Sequence, residues 1–253
     1  MNARTIATTR PDDWDQHWGE FTASAEQGPA HEMRRRWLLD SLAISDEGQT
    51  ARVLELGSGT GEFAEALLTR HPRVRFQGLE LSAVGVGIAS RRVPAALFFQ
   101  QDLLQSPSHP EASTFNATHA VCSEVLEHID NPVQLLVNAR QYMAPGCRLV
   151  ITVPGGPMSA FDRHIGHRRH FTTRSLQDQL QQAGFRVEET IGIGFPFFNL
   201  YRLTIIWRGQ RLAHDIQGTP SNFVRLGMNL FRTLFRFNTR HRGWQITAIA
   251  IAP

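Results

Sequence analysis

The chain has 253 residues, of which 42% are hydrophobic, enough for one large α/β domain or a domain with an addition. No stretch approaches the roughly 18 apolar residues that predict a membrane-spanning helix, and the acidic N-terminus (Asp12, Asp13, Asp15) is unlike a secretory signal. Cys122 and Cys147 have neither disulfide nor metal-ligand spacing. We therefore expect a cytoplasmic protein. All 26 basic residues are arginine, which excludes a catalytic lysine.

Residues 1–50 predict a helical cap next to the main domain. A helix is expected from Pro29 to about Leu42, with the proline in its first turn. Before it, Trp14 and Trp18 interrupt a polar stretch. Two interpretations stay open: the cap packs against the core, or it forms a lid over a substrate that the two tryptophans contact.

From residue 51 the pattern alternates between strands and helices, which predicts a Rossmann-like, doubly wound α/β sheet of about seven mostly parallel strands. We expect this core to cover residues 51–194, with residues 244–253 adding the final strand. One helix is expected to begin after Asn131 and to stop at Ala144-Pro145-Gly146, and another to span about 173–183. The predicted strands are 52–56, 74–80, 96–100, 118–123, 148–153, 186–192 and 245–252.

The segment between the last two strands, residues 195–243, is long for a connection and predicts a helical insert. It holds eight arginines and one acid, Asp215, among many aromatic side chains. Three interpretations stay open. In the first, the insert is a packed subdomain that covers the substrate pocket, with Phe197 as a candidate substrate contact. In the second it contacts an anionic membrane surface peripherally, and in the third it binds nucleic acid. The last is disfavoured because no recognised nucleic-acid motif is present.

The most informative stretch follows the first predicted strand. An acid, Glu55, is followed by glycines at three alternate positions, Gly57, Gly59 and Gly61. Glycine lets the backbone bend and approach a ligand closely, and a helix begins directly afterwards. The dinucleotide fingerprint G-x-G-x-x-G places its third glycine one residue later. The spacing therefore disfavours a nicotinamide oxidoreductase.

Four places, in chain order, resemble the motifs of class I S-adenosylmethionine-dependent methyltransferases. They are Glu55-Leu56-Gly57-Ser58-Gly59-Thr60-Gly61, Glu80, Gln101-Asp102-Leu103 and Ser123-Glu124-Val125-Leu126-Glu127-His128. Within that class the chain looks most similar to the small-molecule branch that includes quinone methyltransferases. The resemblance implies S-adenosylmethionine as the cofactor, bound at the carboxyl ends of the strands.

The resemblance also implies a role for each matching residue. Glu80 would accept hydrogen bonds from both ribose hydroxyls. Leu81 would pack on the adenine, and Asp102 would accept a hydrogen bond from the adenine amino group. Glu55 would orient the glycine turn or hold the cofactor's ammonium group. The residues assigned to the cofactor are Glu55, Gly57, Ser58, Gly59, Gly61, Glu80, Leu81, Asp102, Leu103, Ser123 and Glu124.

A second informative region follows the fifth strand and includes the run Gly166-His167-Arg168-Arg169-His170-Phe171-Thr172. The resembled branch has a similar run above its cofactor. Because histidine titrates near neutral pH and can accept a proton from a hydroxyl, His167 is the first candidate for a general base and His170 the second. Arg168 and His128 are candidate substrate contacts. The alternative is that the loop only shapes the pocket and Thr172 caps the next helix.

We expect no metal ion in this region. Asp162, His164, His167 and His170 are ligand types, but the common motif places two histidines four residues apart on a helix together with a glutamate. Glycine and proline nearby argue against such a helix.

Together these features predict a cytoplasmic S-adenosylmethionine-dependent methyltransferase of small-molecule biosynthesis that methylates a hydroxyl oxygen by in-line displacement. Positioning of the reacting atoms can lower the activation barrier of such a transfer by about 7–11 kcal/mol. A general base is needed only where the nucleophile is not already ionised. Two alternatives are kept: methylation of a lipid-like or carrier-linked acceptor at a membrane surface, and a module that binds the cofactor without turnover.

Overall fold

The fold is built on one sheet of seven strands. The computed structural model describes residues 14–15, 28–45, 50–208 and 222–253. The strands are β1 (Arg52–Leu56), β2 (Arg75–Glu80), β3 (Leu97–Gln100), β4 (Ala117–Ser123), β5 (Met143–Pro154), β6 (Arg186–Ile193) and β7 (Gln245–Ile251). The α-helices are α1 (Pro29–Ser41), α2 (Glu62–Arg70), α3 (Ala83–Arg92), α4 (Pro110–Ser113), α5 (Pro132–Ala139), α6 (Ala160–His164), α7 (Thr173–Gln182), α8 (Phe197–Arg208) and α9 (Asn222–Leu234).

The strand order is β3-β2-β1-β4-β5-β7-β6. Strands β1 to β5 pair in parallel, whereas β7 lies antiparallel between β5 and β6. The order reverses between β1 and β4, the place where ligands bind in open sheets of this kind. The predicted Rossmann-like sheet of about seven mostly parallel strands is confirmed.

Apolar side chains cover both faces of the sheet, as expected for parallel strands between helices. Successive residues of a strand point to opposite faces: Leu54 and Leu56 belong to one buried cluster, whereas Val53 belongs to the other, together with Phe63 and Leu67 of α2. This alternation is why the short apolar run before the glycine turn forms a central strand.

A third apolar cluster joins the N-terminal helix to the segment before β7. Ala30 of α1 packs with Phe198 of α8 and with Phe235, which follows α9. Trp37 on the same helix donates from Nε1 to Oγ1 of Thr247 at 2.9 Å, so α1 also contacts β7. In the part of the chain described here, no helix combines the length and apolar character needed to cross a bilayer.

The end of α5 differs from the sequence-based expectation. The helix ends at Ala139 and a short 3-10 turn over Arg140–Tyr142 follows. The segment expected to stop the helix, Ala144-Pro145-Gly146, instead belongs to β5. The physical reason is long-range pairing: Met143 is in register with Ala117 of β4, and this interstrand contact is invisible in local sequence.

Candidate active site

The glycine turn after β1 has the conformation that its glycines permit. Gly57, Gly59 and Gly61 have φ angles of +72°, +52° and +85°, a region that other residues seldom adopt. The N–H of Gly57 donates to the carbonyl oxygen of Leu79 at 2.8 Å. A Cβ on Gly57 would lie 2.5 Å from Cγ2 of Val125. The turn is therefore pressed against the segment that follows β4.

Glu80, at the end of β2, ties the glycine turn to the start of α3. Its carboxylate accepts from the N–H of Gly59 at 2.7 Å and from the N–H of Ser82 at 2.9 Å. Its carbonyl oxygen accepts from the N–H of Gln101 at 2.8 Å. The carboxyl ends of β1, β2 and β3 therefore meet at one edge of the sheet, as the predicted cofactor cradle requires.

Residues near the expected adenine position occupy the same edge. Leu81 exposes 46% of its surface, which leaves an apolar face open to a ligand. Oδ1 of Asp102 accepts from the N–H of Leu104 at 2.8 Å, and Leu103 is buried. The roles assigned to these residues stay predictions.

Glu55 is a buried carboxyl group directly before the turn. Its Oε2 has no hydrogen-bond partner among the described residues. Burial raises the pKa of Glu55 well above its usual value, and the nearby carboxylates of Glu62 and Glu80 raise that pKa further. A cation such as the cofactor's ammonium group would give the buried Glu55 carboxylate a partner, so the residues present fit S-adenosylmethionine.

Ser123 is the last residue of β4 and Glu124 follows it, and both contact β5 or β7. Ser123 Oγ is 2.8 Å from Oγ1 of Thr152. Glu124 has a φ angle of +56°, and its carboxylate contacts Nη1 of Arg34 at 3.5 Å and Nε2 of Gln245 at 2.9 Å. Helix α1 thus delivers an arginine to this edge, a contact that the sequence did not predict.

The turn after β4 meets the segment after β5 in a buried polar cluster. Oε1 of Glu127 lies 3.9 Å from Nε2 of His167 and 4.0 Å from Nε2 of His128. The rings of His128 and His167 are perpendicular, with centroids 4.8 Å apart. Nδ1 of His167 is 3.3 Å from Nε2 of His170. The fold therefore brings both candidate bases to the edge that carries the glycine turn.

Burial controls the charge of this cluster. It lowers the pKa of His167 to about 3, with His128 adding to the effect and Asp162 opposing it. Burial likewise lowers the pKa of His170. Both rings are accordingly neutral at neutral pH, so each keeps one ring nitrogen that can accept a hydrogen bond. Burial also raises the pKa of Glu127 well above its usual value, and the Glu124 charge adds to this.

Asp162 carries the negative charge beside the two histidines. Burial would raise its pKa, but the Arg202 guanidinium and hydrogen bonds from Ser159 bring that pKa below its usual value. Arg202 lies on α8, forty residues along the chain, and the sequence analysis did not single it out. The only available signal was a lone arginine in the apolar run Phe197–Trp207.

The other candidate substrate residues are more dispersed. Trp14 stacks edge-on against His128, with ring centroids 4.8 Å apart. Arg168 forms an ion pair with Asp130. Phe197 packs at the margin of the apolar cluster around Phe198. Trp18 lies outside the described residues. None of these contacts assigns a substrate role, and all four remain predictions.

The described residues also bring groups together that can ligate a metal. Ligand atoms of Glu127, His128 and His167 lie within 4.8 Å of one another, as do those of Asp162, His167 and His170. The expectation of no metal considered only local spacing and one helix. Three segments supply these groups, namely the short helix α6, the loop after it and the turn after β4, so that expectation stays untested.

Comparison with known proteins identifies the family. A family model described as a methyltransferase domain matches residues 30–190, more than half of the chain, and the chain belongs to this family. Fold and family together define a class I S-adenosylmethionine-dependent methyltransferase, with S-adenosylmethionine as its cofactor.

Individual relatives are more distant. The chain is 26% identical to a ubiquinone biosynthesis O-methyltransferase of Aromatoleum aromaticum, over 80% of this chain and 92% of that one. It is 29% identical to a trans-aconitate 2-methyltransferase of Methylobacterium nodulans, over 56% of this chain but only half of the relative.

Solved structures share the fold at low identity. One is the phosphoethanolamine N-methyltransferase 2 of Haemonchus contortus in complex with S-adenosyl-L-methionine, with a TM-score of 0.64, 15% identity, and coverage of 98% of this chain and 61% of that chain. Another is the Haloferax volcanii complex of the Trm112 methyltransferase activator with a methyltransferase, with a TM-score of 0.64, 17% identity, and coverage of 97% and 100%.

Proposed function

We propose that the protein transfers the methyl group of S-adenosylmethionine to a hydroxyl oxygen of a small molecule. The observation that carries this proposal is the pair His167 and His170 at the edge that bears the glycine turn, with side chains only 8% and 6% exposed. Val125 contacts the turn at Gly57, and Glu127, two residues later, approaches His167. A proton acceptor thus lies close to the expected cofactor site.

The proposed chemistry assigns work to these residues. S-adenosylmethionine would supply an electrophilic methyl group, and the glycine turn with Glu80 and Glu55 would hold it. His167 would take the proton of the acceptor's O–H group, so that the oxygen could bond to the methyl carbon that the cofactor would supply. A positioned base contributes about 10²–10⁴-fold to such a step. The similar ubiquinone biosynthesis O-methyltransferase supports oxygen as the target.

Calorimetry with S-adenosylhomocysteine tests the cofactor site, and a labelled-transfer screen tests the chemistry. The screen uses S-adenosylmethionine carrying a ¹³C methyl group, with catechols, hydroxylated quinols and tricarboxylic acids as acceptors. NMR of the product distinguishes O-methyl from N-methyl and C-methyl groups. We expect a methyl ether of a hydroxyl group rather than a methyl ester, and a marked loss of turnover in His167→Gln with S-adenosylhomocysteine binding retained.

Three results would contradict the proposal. Absence of S-adenosylhomocysteine binding at millimolar concentration would refute the assigned cofactor site. A product methylated on carbon or nitrogen would refute oxygen as the target. Cofactor binding without transfer to any acceptor would favour the alternative of a binding module that lacks turnover.

A second candidate is an acceptor held at an anionic membrane surface. Leu200, Leu203 and Trp207 recur at helical spacing on α8 and are exposed, Trp207 by 88%. Leu226 and Leu230 form a similar exposed pair on α9. Residues 195–243 contain many arginines and few acids, and the resulting positive charge complements an anionic bilayer. Exposed apolar side chains flanked by arginine are typical of interfacial helices.

Vesicle flotation tests this second candidate. We expect binding to vesicles that contain phosphatidylglycerol and weak binding to pure phosphatidylcholine. The double variant Leu203→Ser, Trp207→Ser should lose the binding, whereas Leu97→Ser, which alters an exposed leucine on β3, should retain it. Equal flotation of all three proteins would exclude α8 as the contact.

A further inference from the structure

An open cavity of about 470 Å³ lies at the amino ends of β1, β2 and β3, the edge of the sheet opposite the glycine turn. It is lined by the first residues of these strands and by two aromatic side chains: Arg52, Arg75, Leu97, Phe99 and Phe115. A volume of this size is within the range of small-molecule sites, about 300–1,000 Å³. The proposed methyl transfer does not involve this cavity.

The cavity exists because helix α4 covers only part of this face of the sheet. The helix has four residues, and the carbonyl oxygen of its Ala112 accepts from Nε2 of Gln77 on β2 at 3.1 Å. Towards the amino ends of the strands the face is open, and Leu97 exposes 53% of its surface. Beside it, the ring of Phe99 packs against the buried cluster. The floor of the cavity is therefore apolar.

Two arginines stand side by side in the cavity wall. Arg52 and Arg75 are paired in register in the parallel strands β1 and β2, so their side chains leave the same face of the sheet about 5 Å apart. Like charges in such positions repel each other and lower stability. Neither arginine forms an ion pair within the part of the chain that the structure describes. A bound anion would balance this charge.

The segment before β4 holds Arg52 in place. Nε of Arg52 donates to the carbonyl oxygen of Asn116 at 2.8 Å, and its backbone N–H donates to Oγ1 of Thr118 at 3.0 Å. The two terminal nitrogens of Arg52 donate to no residue in the described ranges. One side of the guanidinium is thus fixed by the protein, and the other side can bind a ligand.

One acid, Glu111, also lines the cavity. Its Oε1 is 3.3 Å from Nδ1 of His109 and is not paired with either arginine. The Glu111 side chain is 62% exposed, so water screens its charge. Two arginines against one acid leave the cavity positively charged.

We propose that this cavity is a second binding site, which takes a small molecule with a phosphate group on a flat apolar body. Arg52 and Arg75 hold the phosphate, whose three terminal oxygens offer more acceptors than a carboxylate does. The ring of Phe99 and the exposed Leu97 contact the apolar part. The site lies at the opposite end of the strands from the glycine turn, so it goes beyond the proposed function and does not depend on it.

Phenyl phosphate is the probe, because it combines the two features in the smallest molecule. Calorimetry uses the full chain with saturating S-adenosylhomocysteine, which occupies the expected cofactor site, and is repeated without it. We expect phenyl phosphate to bind about tenfold more tightly than inorganic phosphate, because its ring is buried on binding. Benzoate should bind more weakly than phenyl phosphate, and phenol, which lacks the charge, more weakly still.

Arg75→Met should weaken the binding of phenyl phosphate by about tenfold or more, the effect of losing one charge-assisted contact. In the absence of ligand it should unfold at the same or a higher denaturant concentration than the wild type, because the repulsion is relieved. Arg186→Met is the matched control: Arg186 also begins a strand, β6, but pairs with Glu188 at 3.2 Å. This control should bind phenyl phosphate as the wild type does.

NMR of the ¹⁵N-labelled full chain locates the bound probe. The amide signals of Leu97, Phe99 and Asn116 should shift when phenyl phosphate is added. Those of Gly57 and Gly59, at the other edge of the sheet, should not.

Several results would overturn the inference. They are no binding of phenyl phosphate at millimolar concentration, equal affinity for inorganic phosphate, benzoate bound as tightly as phenyl phosphate, and shifts confined to the glycine turn. Equal weakening in Arg75→Met and Arg186→Met would indicate a general effect of charge and would also refute the site. Because no measurement requires methyl transfer, failure of this inference is distinguishable from failure of the proposed function.

Discussion

At Gly57 two independent constraints exclude a side chain. The backbone has a φ of +72°, and a Cβ would lie 2.5 Å from Val125 Cγ2. The first constraint is internal to the turn, and the second connects the turn to the segment that carries Glu127 and His128. Glycine at this position therefore allows the turn to pack closely against Val125.

The change Gly57→Ala should therefore weaken S-adenosylhomocysteine binding, because the turn must move to relieve the contact. The left-handed conformation alone costs about 1–2 kcal/mol for a residue with a side chain. Gly146→Ala is the matched control, since Gly146 has a φ of +78° but no atom near the added Cβ. It should lose similar stability and keep full binding in calorimetry; equal loss of binding in both variants would refute the explanation.

Glu55 gives a second prediction at the scale of one residue. Because its pKa is raised in the free protein, the carboxyl keeps its proton to higher pH than an ordinary glutamate. A bound ammonium group would lower that pKa, so binding of S-adenosylhomocysteine should release protons. Calorimetry in two buffers of different ionisation enthalpy measures the number released. Glu55→Gln should abolish the release; an unchanged release would place the ammonium elsewhere.

Helix α7 shows how a local motif holds the histidine loop. Thr172 ends the run that carries His167 and His170, and its side chain accepts from the N–H of Ser175 at 3.0 Å. Ser175 Oγ in turn accepts from the N–H of Thr172 at 2.9 Å. This reciprocal cap was the alternative interpretation of Thr172, and it is present. The capping role and the role of the two histidines are compatible, because different residues carry them.

Thr172→Ala should lower the free energy of unfolding by about 1 kcal/mol, the usual effect of losing an N-cap. Chemical denaturation monitored by circular dichroism measures this change. Thr173→Ala removes a hydroxyl one residue later, within the first turn, and should change stability less. A larger loss in the control than in Thr172→Ala would contradict the assigned cap.

For the whole molecule, the proposed cofactor site joins the ends of several strands, so a ligand bound there should stabilise the entire sheet. S-adenosylhomocysteine at about 100 times its Kd should raise the free energy of unfolding by about 2.7 kcal/mol. Gly59→Arg places a long side chain in the turn and should remove the effect. Gly227→Arg, on α9 where an added Cβ meets no atom, should retain it. Stabilisation of Gly59→Arg equal to that of the wild type would refute the site.

Much of the fold followed from sequence because its signals are local. Short apolar runs predict the buried strands, and glycines at alternate positions after Glu55 predict the turn. Short crossovers between parallel strands then bring Gly59, Glu80 and Gln101 to one edge. The failure at Ala144-Pro145-Gly146 has the opposite cause, since pairing with distant strands decided that β5 begins at Met143.

The sequence by itself determined the sheet, the glycine turn and the family to which the chain belongs. Only the tertiary structure decided the partners of the buried charges: Arg34 with Glu124, and Arg202 with Asp162. Each pair joins residues at least forty positions apart, on elements that meet only after the sheet has formed. No periodicity or spacing specifies which arginine is buried, because that depends on how α1 and α8 pack against the strand ends.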